Sequence, residues 1–458
     1  MNFSTHLTKP VTASFLGIFR ILFGLVFSWQ IWKFIYESDV ALYFSEIKLN
    51  FPYSIVWFLS PLPLPEFRLL MYGLFICSFF LAIGLFYRLS AIILFLGWTY
   101  IFLLDQIYFN NHFYLMSLLV FILIFINGNA RYSVDNWLFP KSRSAYVPQW
   151  QLLLLKFQVS IIFFFSGLGK LNADWLSGYP LKIWFKEITF PNVLIDQFFA
   201  SDITALFFSY GGLLLDLSVA FFLMNRKTKY FAFIVLILFN LSNHYIFSHS
   251  ASGGQIGVFP FLMLSCILLF IDNKDISYFI NKFRLPFKLP QARPIKASFN
   301  LPTPVALLLG SYVIIQLLLP LRHFMLPGNP DWTGHGAKFA WRMKQADKKL
   351  VKANFIVPNT GSNYIQEYLN HMHEKQAFKI MTSPEMLLKF SKYVQAKEAL
   401  KGNNIDNIRC ELLVQFNGRP AKYLVDPNFN LLEGTYNPFK PVAWLLPLDA
   451  PTPIINPY

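Results

Sequence analysis

Nine apolar stretches follow one another along the first two thirds of the chain, at 14–36, 67–86, 89–104, 112–127, 151–170, 204–224, 230–248, 255–272 and 303–320. A bilayer core about 30 Å thick is crossed by about 20 apolar helical residues. In hydrocarbon the backbone must satisfy its own N–H and C=O groups, so such stretches cross as helices. The expected fold is a mainly α, polytopic membrane protein of about nine transmembrane helices, with the lipid bilayer as its first partner. After residue 320 the composition turns polar and lysine-rich. This divides the chain into a membrane domain, 1–320, and a C-terminal external domain, 321–458, that contains β-strands.

Composition supports the division. Charged residues make up 14% and mean hydropathy is +0.44, whereas soluble proteins carry roughly 25% charge. Ser14 to Ile35 is too long for a signal-peptide core and lacks a small-residue cleavage site, so it reads as an uncleaved first span. The net charge of +15 is explained by where the charges fall, not by nucleic acid. Loops bearing Arg88, then Arg131, Lys141 and Arg143, then Arg226, Lys227 and Lys229, then Lys274, Lys282, Arg284, Lys288, Arg293 and Lys296 alternate with acidic or neutral ones. By the positive-inside rule the N-terminus is cytoplasmic and, with nine spans, the C-terminal domain is outside.

That domain carries one clear hairpin signal. Cys410 to Phe416 reads as a strand, Asn417-Gly418 as a turn, and Ala421 to Val425 as the returning strand. The prolines from Pro427 to Pro457 predict an extended tail. Cys77, Cys266 and Cys410 form no CxxC pair, and no metal spacing is present. His371 and His373 read as surface residues rather than metal ligands.

Polar groups near spans are costly and ask for a reason. Asn110-Asn111-His112 opens span four, Lys170 closes span five, and Asn240, Asn243 and His244 lie near the end of span seven. The charge alternation puts all of them at the outer face. Arg20 reads as a buried pair or carbonyl ligand, and Asp216 as a structural partner for a buried polar group. For Lys170 two readings stand. One is snorkelling to the interface. In the other, burial holds the amine neutral as a general base for a phenol-like hydroxyl, while Gly167 and Gly169 leave room for a flat ring.

At these residues the chain resembles the vitamin K-dependent gamma-glutamyl carboxylases and their short bacterial-type relatives, which share an HTTM domain. The resemblance runs through Phe19-Arg20-Ile21-Leu22-Phe23-Gly24, Leu103-Leu104-Asp105, Asn110-Asn111-His112, Tyr132-Ser133-Val134-Asp135, Lys170-Leu171-Asn172-Ala173-Asp174-Trp175 and Gly211-Gly212-Leu213-Leu214-Leu215-Asp216. It continues in His323-Phe324, Trp332-Thr333 and Asp426-Pro427. It implies a multi-pass protein of the bacterial inner membrane. The implied substrates are vitamin K hydroquinone or a menaquinol-type reduced naphthoquinone, O2, CO2 or bicarbonate, and a glutamyl-containing peptide or protein.

The same resemblance implies site roles. Lys170 is the base toward the hydroquinone, assisted by His112. Oxygenation of the quinone, which leaves as its epoxide, drives removal of a glutamyl γ-proton and CO2 addition. Asn111, Asn240, Asn243, Met343, Trp332 and Lys186 would line the substrate sites, and Arg20, Asp216, Asp174 and Trp175 would be structural polar groups. The chain departs from the animal pattern at Gly169, Lys186, Asn240, Ala337, Ala340 and Ala346, so the quinone half of the site matches better than the glutamyl half. Two alternatives remain: quinone epoxidation without carboxylation, and a transporter with a midplane site.

The charge alternation makes a direct prediction. A single cysteine at position 285 should label from the cytoplasmic side and one at position 400 from the opposite side. The reverse pattern would contradict the assigned topology.

Overall fold

Each of the nine apolar stretches holds a helix in a computed structural model. The model describes residues 6–47, 49–140, 144–248, 256–271, 301–358 and 364–449, with Tyr278, Lys282, Phe283 and Phe299. The helices are α1 (Ser14–Tyr36), α2 (Leu64–Ile83), α3 (Tyr87–Leu104), α4 (Asn111–Phe125), α5 (Gln149–Lys170), α6 (Asp202–Met224), α7 (Lys229–Ser248), α8 (Phe259–Ile267) and α9 (Thr303–Leu318). Seven are long and apolar enough to cross a membrane, and α4 and α8 are shorter apolar helices. At 15 residues, α4 is about 22 Å long, short of a full hydrocarbon core. The basic positions Lys48, Lys141, Arg143, Lys274, Arg284, Lys288, Arg293 and Lys296 lie outside the described residues, as do the prolines at 451, 453 and 457.

Two pairings frame the membrane half: α1 packs on α2, and α5 packs on α6. A Cβ at Gly24 would stand 2.7 Å from the Ala82 Cα, so the α1 and α2 backbones meet closely only because residue 24 has no side chain. Arg20, fully buried, acts as a carbonyl ligand. Its guanidinium donates to the Leu81 and Ala82 carbonyls, each at 2.9 Å, and to the Tyr132 carbonyl at 2.5 Å. The first two belong to the last turn of α2, where carbonyls run short of helical donors, and the third to the loop that follows α4. Asp135 of the Tyr132–Asp135 motif accepts from the Phe86 and Tyr87 amides at 2.7 and 3.0 Å. It thereby satisfies the orphan donors at the start of α3. Both early motifs are therefore helix-end devices.

The C-terminal region forms a three-stranded antiparallel sheet whose strands lie side by side in chain order. A short strand β1 (Pro10–Thr12) pairs separately with β2 (Tyr146–Pro148). The larger sheet comprises β3 (Lys348–Ile356), β4 (Arg409–Phe416) and β5 (Lys422–Tyr423). Asn417 and Gly418, with φ of 48° and 74°, make the expected tight turn. Helices α10 (Tyr364–Asn370), α11 (Glu374–Thr382) and α12 (Pro384–Ala399) join the sheet around a core that holds Trp332, Phe355, Phe390 and Phe416. Strand β3 was not expected from the sequence. Its lysines, Lys348, Lys349 and Lys352, obscure the alternation, and four successive residues of its outer stretch are exposed.

Removing the Arg20 guanidinium takes away three hydrogen bonds, two of them buried, and a buried carbonyl left without a donor costs about 1–3 kcal/mol. Arg20→Ala should lower the melting temperature in detergent by several degrees, and Arg20→Lys should recover part of the loss. Unchanged melting in both variants would remove Arg20 from this role.

Candidate active site

The site begins where α5 and α6 touch. A Cβ at Gly167 would stand 2.8 Å from the Leu217 Cγ and 2.9 Å from its backbone nitrogen, so the glycine lets α6 approach. That approach brings Asp216 to Lys170, the last residue of α5. The Lys170 ammonium pairs with the Asp216 carboxylate and donates to Ser166 Oγ at 2.8 Å. Its Nζ stands 5.1 Å from the centroid of the Trp175 ring. The two ionic side chains are 8% and 5% exposed. Burying either charge alone would be costly, so each makes the other tolerable.

Lys170 and Asp216 line a cavity of about 260 Å³, just under the range of about 300–1,000 Å³ usual for small-molecule sites. Its apolar walls include Ile162, Phe163, Phe185, Phe208, Phe239, Phe247, Phe259 and Met263. Asn111 and His112 enter from the start of α4, Asn240 and Asn243 from α7, and Trp175 from the short helix Ala173–Leu176. The buried His112 ring packs edge-on to Phe113 at 4.3 Å. Asn240 is buried and donates back to the Leu236 carbonyl at 2.8 Å. His244 lies off the lining, exposed beside Phe261.

The roof comes from the C-terminal region. Between Trp332 and β3, a segment with left-handed backbone at Phe339, Trp341 and Lys344 (φ 64°, 56° and 52°) enters the membrane half. Trp341 is fully buried in the membrane-domain core and stacks on Tyr114 at 4.9 Å. Arg342, Met343 and Lys344 then line the cavity. The Arg342 guanidinium donates to Asp331 at 2.8 and 2.5 Å and to the Gly169 carbonyl at 3.2 Å. The Arg342 carbonyl accepts from Asn111 Nδ2 at 3.0 Å. Asn111 Oδ1 is buried without a hydrogen-bond partner among the described residues. Burial pushes the Lys344 amine, 5.0 Å from the Phe247 ring and 5.8 Å from Trp184, down to about 8.

The cavity therefore gathers Lys170, His112, Asn111, Asn240, Asn243, Met343, Asp216 and Trp175. Other residues expected at the site lie elsewhere. Trp332 is a core residue of the C-terminal region, donating from Nε1 to the Leu446 carbonyl at 2.8 Å. Lys186 is exposed, paired with Asp202 at 2.8 Å, and does not line the cavity. Asp174, read as a structural polar group, accepts from Arg419 and Asn417, tying the membrane half to the hairpin turn. Arg20 lies in the α1–α2 frame. The two glycines also differ from expectation. Leu217 fills the space at Gly167, while Gln345 and Arg342 fill that at Gly169, where a Cβ would meet them at 2.8 and 3.2 Å. The glycines serve backbone packing, not a ring. Arg342, Lys344 and Gln345 were missed because their segment has neither helical nor strand periodicity. The one signal was its position just after Trp332-Thr333.

Two family models match the chain. The HTTM domain covers residues 8–274, and the vitamin K-dependent gamma-carboxylase lumenal domain covers residues 302–451. No solved structure matches the chain.

Adding a methyl group at Gly167 should push α6 away and separate Asp216 from Lys170. Gly167→Ala should lower turnover by at least about tenfold, since a misplacement of about 1 Å can cost a hundredfold. At Gly211 of the same helix pair nothing stands within 4 Å of an added Cβ, so Gly211→Ala should be neutral. Equal turnover in the two variants would contradict the close-approach account.

Proposed function

The chain belongs to the HTTM-domain family of vitamin K-dependent gamma-carboxylases, and on that basis we propose that Lys170 is the base that deprotonates a reduced naphthoquinone bound beside it. The family is one of membrane carboxylases that use vitamin K hydroquinone, O2 and CO2. The observation that carries the finer reading is the buried Lys170–Asp216 pair, set in the wall of an apolar cavity at the end of a membrane helix.

The cavity suits a flat bicyclic ring, with aromatic and aliphatic walls and polar groups converging from α4, α5, α6 and α7. The unpartnered Asn111 Oδ1 is an acceptor that a ring hydroxyl would satisfy. When bound, the hydroquinone supplies the reducing electrons and, with O2, the strong base that abstracts a glutamyl γ-proton.

The residues handle the proton. Moving one proton from Lys170 Nζ to Asp216 Oδ2 turns an ion pair into an amine and a carboxylic acid, freeing the lone pair a base requires. The amine then takes the hydroxyl proton and returns to the ammonium. Ser166 Oγ and the Trp175 ring hold Nζ in place through the exchange. His112, buried among aromatic rings, assists as an uncharged polar group at the same centre. The apolar walls exclude water, which would otherwise consume a strongly basic species.

A second reading is oxygenation of the quinone without carboxylation. It is favoured by one observation: Lys186, the expected partner of an acceptor carboxylate, stands outside the cavity.

Lys170→Ala should lower epoxide formation from vitamin K hydroquinone by about 10² to 10⁴. It should lower the melting temperature as well by leaving Asp216 buried without its partner, so activity is compared at a temperature where both proteins are folded. Lys170→Arg should fail as well, because guanidinium does not give up its proton at usable pH. Small amines should partly restore Lys170→Ala. Near wild-type epoxidation by Lys170→Arg would contradict the assignment. Running each assay with and without a glutamyl peptide and labelled bicarbonate separates carboxylation from oxygenation alone.

A further inference from the structure

We propose that Asp331 and Arg342 are positioning residues for the base. Asp331 aims the Arg342 fork, and Arg342 fixes the last turn of α5, with Lys170 at its end, against the Asn111–His112 start of α4. This inference rests on the reading of Lys170 as the base.

The last turn of a helix exposes carbonyls that no helical amide reaches. In α5 that turn ends in the base, so its rigidity decides where the amine stands. The Gly169 carbonyl, one residue before Lys170, accepts from the Arg342 guanidinium at 3.2 Å and from Asn172 Nδ2 at 2.9 Å. Nearer the start of the same turn, the Ser166 carbonyl accepts from Gln345 Nε2 at 3.2 Å. The roof segment therefore grips this turn at two points, and a cation there also suits the negative end of the helix dipole. Arg342 reaches a second helix through its backbone, because its carbonyl accepts from Asn111 Nδ2 at 3.0 Å. One residue is thus bonded to the helix that carries Lys170 and to the helix that carries Asn111 and His112.

What fixes Arg342 is Asp331. The guanidinium donates from Nε and from Nη2 to the two carboxylate oxygens, at 2.8 and 2.5 Å. This bidentate geometry holds a planar fork in one orientation. The two side chains are 7% and 10% exposed, so water competes little for either. The third nitrogen, Nη1, stands 3.4 Å from His323 Nε2. His323 Nδ1 lies 2.7 Å from the Pro320 carbonyl, which can only accept. That ring nitrogen holds the proton, and Nε2 is left as an acceptor for the guanidinium. Arg342 lines the cavity, whereas Asp331 lies off its described lining, so Asp331 acts on the chemistry through Arg342.

Epoxidation of vitamin K hydroquinone by the full chain in lipid nanodiscs tests this. Melting temperatures set an assay temperature at which the variants compared are folded. Asp331→Asn keeps the side-chain shape and loses the charge. It should lower kcat at least about tenfold, with KM for hydroquinone within about twofold of wild type, because a base misplaced by about 1 Å costs turnover. Arg342→Lys should lose as much, since an ammonium lacks the fork that spans carboxylate and carbonyl; it serves as the second variant if Asp331→Asn does not fold. Added to Lys170→Ala, Asp331→Asn should cost less than about twofold more, because the group it positions is gone. Wild-type kcat in either folded variant overturns the proposal. So does a loss confined to KM, which would make the pair a substrate-binding element, and so does a full tenfold loss on top of Lys170→Ala. Near wild-type epoxidation by Lys170→Ala removes the base reading and this inference with it. An inactive Lys170→Ala beside a fully active Asp331→Asn removes this inference alone.

Discussion

A lysine at the end of one membrane helix and an aspartate inside the next, buried together, set the terms for the rest of this molecule. Neither charge is tolerable alone in such a place, so the α5–α6 contact must be close and fixed. Gly167 makes it close, with Leu217 seated where a side chain would otherwise stand. Gly212 and Asp216 of α6 and the Ser166–Trp175 segment describe the two faces of one contact. Trp175 belongs to it as well: its Nε1 donates to the Ser209 carbonyl at 2.8 Å, binding the short helix after Lys170 back onto α6.

The second constraint is that the membrane helices do not close the site. The segment carrying Trp341, Arg342, Met343 and Lys344 enters from the C-terminal region and forms the roof, and Asp174 reaches back to Arg419 and Asn417 of the hairpin turn. The two halves are thus joined on both sides of Lys170. On the proposed function, a lipid-soluble ring and a polar acceptor would meet at this join, each arriving from the half that suits it. Short α4 contributes by placing Asn111 and His112 at the cavity and not at the end of a full-length span.

The helices were legible because twenty apolar residues in a row permit little else, and the hairpin because Asn417-Gly418 suits left-handed backbone. Lys170, His112 and Asn111 were legible as polar groups where polar groups are costly. Strand β3 was hidden by lysines on an exposed edge. The roof segment was hidden because its conformation is imposed by contacts distant in sequence, at Tyr114, Asn111 and Ser166. Lys186 and Trp332 sit near the right places along the chain, yet a surface pair with Asp202 and the core of the C-terminal region claim them. Glycines 167 and 169 show the same limit: sequence marks where a side chain is excluded, and only packing shows which neighbour excludes it.

The central claim is that Lys170 removes a proton from the bound hydroquinone. The ultraviolet spectrum of hydroquinone bound without oxygen reports this directly, because the deprotonated ring absorbs at longer wavelength than the neutral one. The account predicts the deprotonated spectrum in the wild type and the neutral one in Lys170→Ala at matched occupancy. The same deprotonated spectrum in both proteins would contradict it.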